Sequence, residues 1–181
     1  FFPECRDATC KKRGPHRHIL EHQQALINSS AKYVMLLGGF GSGKTIPACA
    51  LGLALSLKIK GNVGVVCRRT YPKLNDSVTR KVLAMLETAG IDYDGLENRD
   101  RYPKRIVLPH NGSEIWFRDT QDIGRWLGPD FGWFLLDEAG EEPKATFAGL
   151  VSRLRLSNAG RFLKGILTSN PPHERHWIAE V

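Results

Sequence analysis

The stretch VMLLGGFGSGKT, residues 34–45, places a glycine-rich loop directly after a short apolar run. Within it, Gly38, Gly43, Lys44 and Thr45 fit the spacing G-x-x-x-x-G-K-[ST] of a phosphate-binding loop. Glycines permit positive φ and let backbone N–H groups approach a ligand closely. A helix that follows such a loop directs its N-terminal N–H groups at an anion. The sequence therefore predicts a phosphate site between a strand and a helix.

The flanking segments support this interpretation. Residues 34–37 predict a buried strand, and TIPACALGLALSLKIK (residues 45–60) predicts a helix with Pro47 tolerated in its first turn. A chance match in a glycine-rich turn is disfavoured, because both neighbours of the motif are present. Lys44 is then expected to contact the β- and γ-phosphates of a nucleotide, and Thr45 to bind Mg²⁺. The cradle consists of Gly38, Gly39, Phe40, Gly41, Ser42 and Gly43.

A second apolar run, WFLLDE, ends in two carboxylates. At the end of a buried strand, Asp137 is expected to hold Mg²⁺ and Glu138 to polarise an attacking water molecule. A solvated turn is disfavoured because four apolar residues come directly before the acids. Glu141 and Glu142 are alternative general bases, expected in the loop beyond the site.

A third run, LTSNPP, follows a later strand. Thr168, Ser169 and Asn170 are candidates to hydrogen-bond the γ-phosphate or the attacking water at the same sheet edge. Taken alone the pattern is also that of a common turn.

The remaining segments predict strands that alternate with helices, which is typical of a mostly parallel sheet between helices. Residues 71–77 are expected to form a loop, with Asp76 or Ser77 capping a helix over residues 78–90. Asn111-Gly112 predicts a β-hairpin turn within residues 105–119. The expected fold class is α/β: a P-loop NTPase of the additional-strand, catalytic-glutamate (ASCE, RecA-like) type with a β-hairpin insertion. The other predicted elements are a helix over residues 19–30, strands within residues 62–69, 132–136 and 161–169, and a helix from 143 to about 156.

Composition sets broader limits. The 181 residues suffice for one domain, and no apolar run is long enough to cross a membrane. The formal net charge of +7 favours an anionic partner, nucleic acid or nucleotide. Cys49 and Cys67 lie in apolar segments and are expected to be reduced core residues of a cytosolic protein.

The N-terminal segment, residues 1–18, is interpreted as a basic arm or the remnant of an element, followed by an ATPase domain over residues 19–181. Because the sequence does not begin with Met, the start is expected to lie inside a longer chain. Zinc binding is an alternative for the arm, although the spacing matches no standard zinc pattern. Its candidate ligands are Cys5, Cys10, His16 and His18.

Four segments in order along the chain resemble the ATPase domain of the large terminase subunit of tailed bacteriophages: HQQALINSSAKYVMLLGGFGSGKT, VVCRRTYPKLNDSV, GRWLGPDFGWFLLDEA and LTSNPP. The resemblance implies that Lys44 and Thr45 are the phosphate-loop lysine and the Mg²⁺ ligand, and that Asp137 and Glu138 are the metal-holding acid and the catalytic glutamate. It implies that residues 168–170 couple hydrolysis to motion and that Gln23 recognises adenine, with Gln24 as the alternative register.

Some families of this kind carry an arginine inside the phosphate loop, where this chain has Phe40 and Ser42. The segment GRWLGPD resembles the position of a family arginine before the acidic strand, so Arg125 is the candidate arginine finger, acting on a neighbour's site. The competing arginines are Arg68, Arg69, Arg101 and Arg105.

The resemblance further implies an ATP-driven motor that moves double-stranded DNA into a procapsid. The partners it implies are the portal protein, a small terminase subunit and identical subunits in a ring, typically a pentamer, with no membrane. The expected location is the host bacterial cytoplasm, with transient docking on the procapsid. DNA contacts are expected to be sequence-independent phosphate contacts from Lys and Arg of residues 6–17 or 58–81. The family's nuclease domain is expected to be absent from this chain. A related RecA-like helicase or translocase, and a nucleotide-binding switch without hydrolysis, are the alternatives.

Overall fold

The computed structural model describes residues 20–97, 102–171 and 176–180. Its helices are α1 (Glu21–Asn28), α2 (Thr45–Lys58), α3 (Tyr71–Leu74), α4 (Arg80–Thr88) and α5 (Lys144–Arg153). Its strands are β1 (Tyr33–Leu37), β2 (Val63–Arg68), β3 (Asp94–Leu96), β4 (Arg105–Leu108), β5 (Ser113–Asp119), β6 (Trp133–Leu136) and β7 (Lys164–Ser169). A π-helical segment, Asn75–Thr79, joins α3 to α4.

The strands form one seven-stranded sheet in the order β1-β7-β6-β2-β5-β4-β3. The first five strands of that order are parallel, and β4 and β3 continue the sheet antiparallel. The carboxyl ends of β1, β7, β6, β2 and β5 therefore meet at one edge, where open α/β sheets bind their ligands. The predicted mostly parallel sheet and the β4–β5 hairpin are confirmed.

The two faces of the sheet carry separate apolar cores. Along β6, Trp133 and Leu135 pack with residues of α2 and α4, whereas Phe134 and Leu136 pack with residues of α5 and with Trp177. All four β6 side chains are buried, which is the pattern of a strand covered on both faces. Helices therefore lie on both sides of the sheet, as the alternating pattern predicts.

The expected loop over residues 71–77 is wrong, because the chain there is helical in α3 and the π-helical segment. Leu74, Val78 and Val82 are buried at a spacing of four residues, so one apolar stripe runs through both helices. Pro72 lies in the first turn of α3, where a missing N–H group is tolerated. Capping by Asp76 or Ser77 is likewise wrong, since both lie inside the continuous helical run.

A short strand, β3, precedes the hairpin and pairs antiparallel with β4. The hairpin turn itself fits its prediction: Gly112 has φ +69°, and Asn111 donates from Nδ2 to the carbonyl oxygens of Ser56 and Leu57 at 2.8 and 3.2 Å. The turn thereby satisfies carbonyl groups at the end of α2. None of the helices in the described part of the chain combines the length and apolarity that a membrane span requires.

Trp133 packs against two positions that lack a side chain. A Cβ built on Gly64 of β2 would lie 2.0 Å from the indole, and one on Gly52 of α2 would lie 2.5 Å from it. The indole Nε1 donates to Ser56 Oγ at 2.9 Å, which fixes the ring between strand and helix. The glycines therefore set the close approach of α2 to the centre of the sheet.

We predict that Gly64→Ala lowers the free energy of unfolding by about 1–3 kcal/mol, because the new methyl group overlaps a buried ring that a hydrogen bond holds in place. Urea-induced unfolding measures the loss. Gly128→Ala is the matched control, since no atom lies within 4 Å of its built Cβ. Equal stabilities of the two variants would contradict the role assigned to Gly64.

Candidate active site

The phosphate-binding motif lies between β1 and α2, as predicted. Gly41 and Gly43 have φ of +76° and +77°, so both use the left-handed region that favours glycine. At the start of the loop, the N–H of Gly38 donates to the carbonyl oxygen of Ser169 at 3.1 Å. This bond anchors the loop to β7, the neighbouring strand, and leaves the following N–H groups at the N-terminus of α2.

Lys44 connects the loop to two other parts of the site. Its side chain is buried, and its Nζ donates to Asn170 Oδ1 at 2.9 Å and lies 3.4 Å from Glu138 Oε1. A longer contact of 3.5 Å reaches the carbonyl oxygen of Gly39. The lysine therefore contacts both the acid pair after β6 and the LTSNPP segment. The sequence predicted that these two segments lie at the same edge of the sheet, but it did not predict their contact through Lys44.

Asp137 follows β6 and is only 2% exposed. Its Oδ1 accepts hydrogen bonds from Thr168 at 2.6 Å and from Thr45 at 3.4 Å, and its Oδ2 lies 3.4 Å from Arg68 Nη1. The backbone N–H of Asp137 donates to the carbonyl oxygen of Cys67 at 2.9 Å. Residues of three elements, β7, α2 and β2, thus fix Asp137.

Burial raises the pKa of Asp137 above its ordinary value. The hydrogen bond from Thr168 and the charge of Arg68 oppose that shift, whereas the neighbouring charge of Glu138 adds to it. The folded protein therefore holds this carboxylate at a free-energy cost near neutral pH.

Glu138 has φ +54° and ψ +51°. Such a conformation costs a non-glycine residue about 1–3 kcal/mol and is concentrated at functional sites. Its Oε2 accepts from the backbone N–H of Asn170 at 3.4 Å, while Oε1 faces Lys44. The backbone turn thus sends the two adjacent acids to different partners.

Ser169 serves the backbone. Its Oγ accepts from the N–H of Gly140 at 3.0 Å and donates to the carbonyl oxygen of Asn170 at 2.7 Å. It therefore ties β7 to the turn after Glu138, and Thr168 and Asn170 make the contacts with Asp137 and Lys44.

Gln23 lies beside the loop, only 6% exposed. Its Nε2 donates to the carbonyl oxygen of Gly43 at 3.5 Å, and its Oε1 accepts from the N–H of Leu20 at 3.1 Å. Gln24, the alternative register, is exposed. The structure thus brings Gln23 rather than Gln24 to the loop.

A cavity of about 360 Å³ lies beside the phosphate loop and the two acids; Gln23, Ser169 and Asn170 are not among the residues that line it. The phosphate loop forms one wall, from Phe40 to Ile46, and the two acids lie at its base. The opposite wall holds Arg68, Ser77 and Lys81, of which the sequence predicted only Arg68, as a competing arginine finger. The double arginine after β2 was the available signal, but the neighbours of β2 in the sheet are not visible in the sequence.

The other candidate residues lie away from this cavity. Arg125 has a side chain 83% exposed and pairs with Asp122 at 2.5 Å. Arg69 bonds to the carbonyl oxygen of Glu141, and Arg105 on β4 pairs with Glu114. Arg101 lies outside the described residues.

Glu141 and Glu142, the alternative bases, make other contacts. Glu141 pairs with Lys73 at 3.0 Å, and buried Glu142 accepts from Thr120 at 2.6 Å.

Cys49 and Cys67 are buried free thiols, and burial raises the pKa of both. Residues 1–18, with the candidate zinc ligands Cys5, Cys10, His16 and His18, lie outside the described residues. Within residues 20–97, 102–171 and 176–180, no three His, Cys, Asp or Glu side chains group as metal ligands would.

The fold and the cavity define a P-loop nucleotide-binding domain of the ASCE, RecA-like type. A profile of the phage terminase large subunit family matches residues 30–181, so this chain belongs to that family. The match confirms the predicted resemblance and favours it over the helicase alternative. No curated protein sequence matches the chain.

Solved structures show the same fold. The large terminase of a thermophilic bacteriophage superposes with a TM-score of 0.74 at 15% identity, over 89% of this chain and 41% of its own. The large terminase ATPase domain of Thermus phage P74-26 superposes with a TM-score of 0.71 at 20% identity, over 91% of this chain and 69% of its own. The bacteriophage HK97 large terminase superposes with a TM-score of 0.69 at 12% identity, over 92% of this chain and 36% of its own. The first of these three proteins has also been solved with ADP and with ATP-γ-S.

We predict that Asp137→Asn stabilises the fold increasingly as pH rises. The folded carboxylate has a raised pKa, so the wild-type protein loses stability as pH increases from the ordinary value of 3.8 through the folded value. The asparagine does not titrate, and the variant avoids that loss.

Urea-induced unfolding of both proteins across this pH range, without added divalent ions, measures the difference. Measurements well below pH 3.8, where the aspartate is protonated in both the folded and the unfolded state, provide the internal control. A difference in the free energy of unfolding that stays constant with pH would contradict the prediction.

Proposed function

We propose that residues 19–181 form the ATPase domain of a packaging motor, which hydrolyses ATP with Mg²⁺ to move double-stranded DNA into a procapsid. The observation that carries this proposal is the convergence of Lys44, Thr45, Asp137 and Glu138 on one cavity at the carboxyl edge of the sheet. Membership of the terminase family supports the DNA-packaging role.

In this proposal the loop binds the phosphates. Backbone N–H groups of the loop after Gly38 and of the first turn of α2 donate to the phosphate oxygens, and Lys44 adds a positive charge from within the cavity. Gln23 contacts adenine, since each end of its amide can form a bond beyond those made to Gly43 and Leu20. Its burial against the loop supports this assignment over an ordinary surface role.

The oxygen donors at the base of the cavity fit a magnesium ion. Thr45 Oγ1 and Asp137 Oδ1 lie 3.4 Å apart, and hydroxyl and carboxylate oxygens are ligands that Mg²⁺ accepts. When bound, the ion neutralises charge on the β- and γ-phosphate oxygens. Thr168 and Arg68 keep Asp137 in place for that role.

Glu138 is the general base in this mechanism. Its contacts with Lys44 and with the N–H of Asn170 hold a carboxylate at the cavity wall, where it can accept a proton from an attacking water. Because Asn170 contacts both Lys44 and Glu138, a change in the position of either side chain during hydrolysis would move the segment that contains Asn170. Residues 168–170 are accordingly proposed to pass the outcome of hydrolysis to the rest of the motor.

Family membership supports a proposal for the assembly. We propose a homo-oligomeric ring, typically a pentamer, docked on the portal in the host cytoplasm, with a small terminase subunit selecting viral DNA. DNA would be held through its phosphates by Lys and Arg side chains, because a packaging motor must move any sequence. Cleavage of DNA is assigned to a separate nuclease domain of the family.

We predict that Glu138→Gln lowers the rate of ATP hydrolysis by about 10²–10⁴-fold, because the amide cannot accept the proton. Affinity for ATP is expected to be retained, since the loop is unchanged. A phosphate-release assay and calorimetric titration measure the two quantities. Lys44→Ala is the comparison variant and is expected to lose binding itself; unimpaired turnover by Glu138→Gln would contradict the mechanism.

We predict that Arg125→Ala lowers ATP turnover in the assembled ring by roughly 10³-fold or more, as removal of an arginine finger does. Dilute isolated domains are expected to be little affected, because the arginine acts on a neighbour's site. Arg155→Ala is the matched control: it removes an exposed arginine whose Nε pairs with Asp130 at 2.8 Å. Equal turnover by rings of both variants would assign the finger elsewhere.

A further inference from the structure

The cavity is lined by cationic groups from the phosphate loop and from two other elements, β2 and α4. Lys44 reaches in from the phosphate loop, and Arg68 and Lys81 line the wall formed by β2 and α4. Two carboxylates, Asp137 and Glu138, lie between them. The second wall therefore presents positive charge to whatever anion the loop binds.

Arg68 is the last residue of β2 and has a side chain 16% exposed. Its Nη1 donates to Ser77 Oγ at 2.6 Å and lies 3.4 Å from Asp137 Oδ2. Ser77 in turn donates to the carbonyl oxygen of Lys73 at 2.7 Å. One guanidinium group thus joins the acid after β6 to the π-helical segment.

The Nε of Arg68 is buried and has no hydrogen-bond partner among the described residues. A buried, unsatisfied donor on a charged group carries a substantial free-energy penalty. Arg68 also lines the cavity, so a ligand bound there can complete the bonding of its guanidinium group. An anionic oxygen is the complementary partner, because the guanidinium fork matches phosphate geometry.

We propose that Arg68 is a substrate-binding residue that contacts the terminal phosphate of the triphosphate and links that contact to the π-helical segment Asn75–Thr79. The inference rests on the proposed function, since it takes the cavity to hold ATP. It assigns Arg68 a role within its own subunit, different from that of a finger offered to a neighbour.

Three features of the chain support this assignment. The phosphate loop supplies no arginine, because Phe40 and Ser42 occupy its central positions. Arg68 approaches from β2, the strand on the far side of β6 from the loop's own anchor on β7. A π-helical turn within a helix frequently marks a functional site, and Ser77 places this one in direct contact with Arg68.

The test compares ATP-γ-S with ADP, which differ in the terminal phosphate group. Calorimetric titration of the purified chain with each nucleotide and MgCl₂ gives the two affinities. Arg68→Ala is expected to weaken ATP-γ-S binding by about tenfold or more, the effect of losing one charge-assisted contact, and ADP binding by less than about threefold. Arg80→Ala, which removes an exposed arginine from α4, is the matched control and is expected to change neither.

If Arg68→Ala weakens the binding of both nucleotides equally, or of neither, the inference is overturned and the proposed function still stands. A wild-type chain that binds neither nucleotide would overturn both. Should Arg68→Ala not fold, Arg68→Lys decides the matter: it keeps the charge without the fork, and selective weakening of ATP-γ-S binding is still expected.

A second measurement tests the link to the helix. Hydrogen exchange of the backbone amides of Asn75–Thr79 is expected to differ between the ADP and ATP-γ-S complexes of the wild-type chain. In Ser77→Ala that difference is expected to disappear, because the hydroxyl joins Arg68 to the helical backbone. A difference that persists in Ser77→Ala would show that Arg68 does not act through this segment.

Discussion

The site depends on one buried carboxylate. Asp137 is held by Thr168 from β7, Arg68 from β2 and Thr45 from α2, and the contacts from β7 and β2 require that β6 lie between those two strands. The strand order therefore determines the chemistry of the site as well as the architecture of the sheet. Any arrangement that separated these strands would leave the carboxylate buried without partners, which costs several kcal/mol.

The same carboxylate shows how stability and function are opposed here. Burial raises the pKa of Asp137. Ionisation of this carboxyl group therefore destabilises the folded state relative to the unfolded state, in which water solvates the group. Glu138 adds a second unfavourable feature, a left-handed backbone conformation. Two adjacent residues that each oppose folding are consistent with the roles proposed for them, a ligand of a metal ion and a general base.

Features that lie within a short stretch of chain could be predicted, and those that depend on strand order could not. The phosphate loop and the acid pair are recognisable because each follows its own apolar strand. Predicting that Arg68 lies at the site requires knowing which strand neighbours β6, and strand order is a property of the whole sheet. The segment from Tyr71 to Ser77 was misassigned because Pro72 and a polar run resemble helix breakers, whereas the burial of Leu74, in line with Val78 of the following helix, decides its structure.

The positive charges near the cavity differ from the exposed Arg125 in what they can contribute. The former act within one domain, whereas Arg125 is proposed to act on the site of a neighbouring copy. Lys44 lies against Glu138, and Arg68 lies against Asp137, so each of these two cations is matched by a carboxylate before any phosphate binds. A transferring phosphoryl group needs charge beyond that balance. Arg125 is a suitable source in an assembly, because it is exposed and belongs to a short helix after β5, a strand whose carboxyl end lies at the same edge. In the proposed motor, a single domain would bind nucleotide and would gain its full rate of hydrolysis only when a second copy supplies the missing charge.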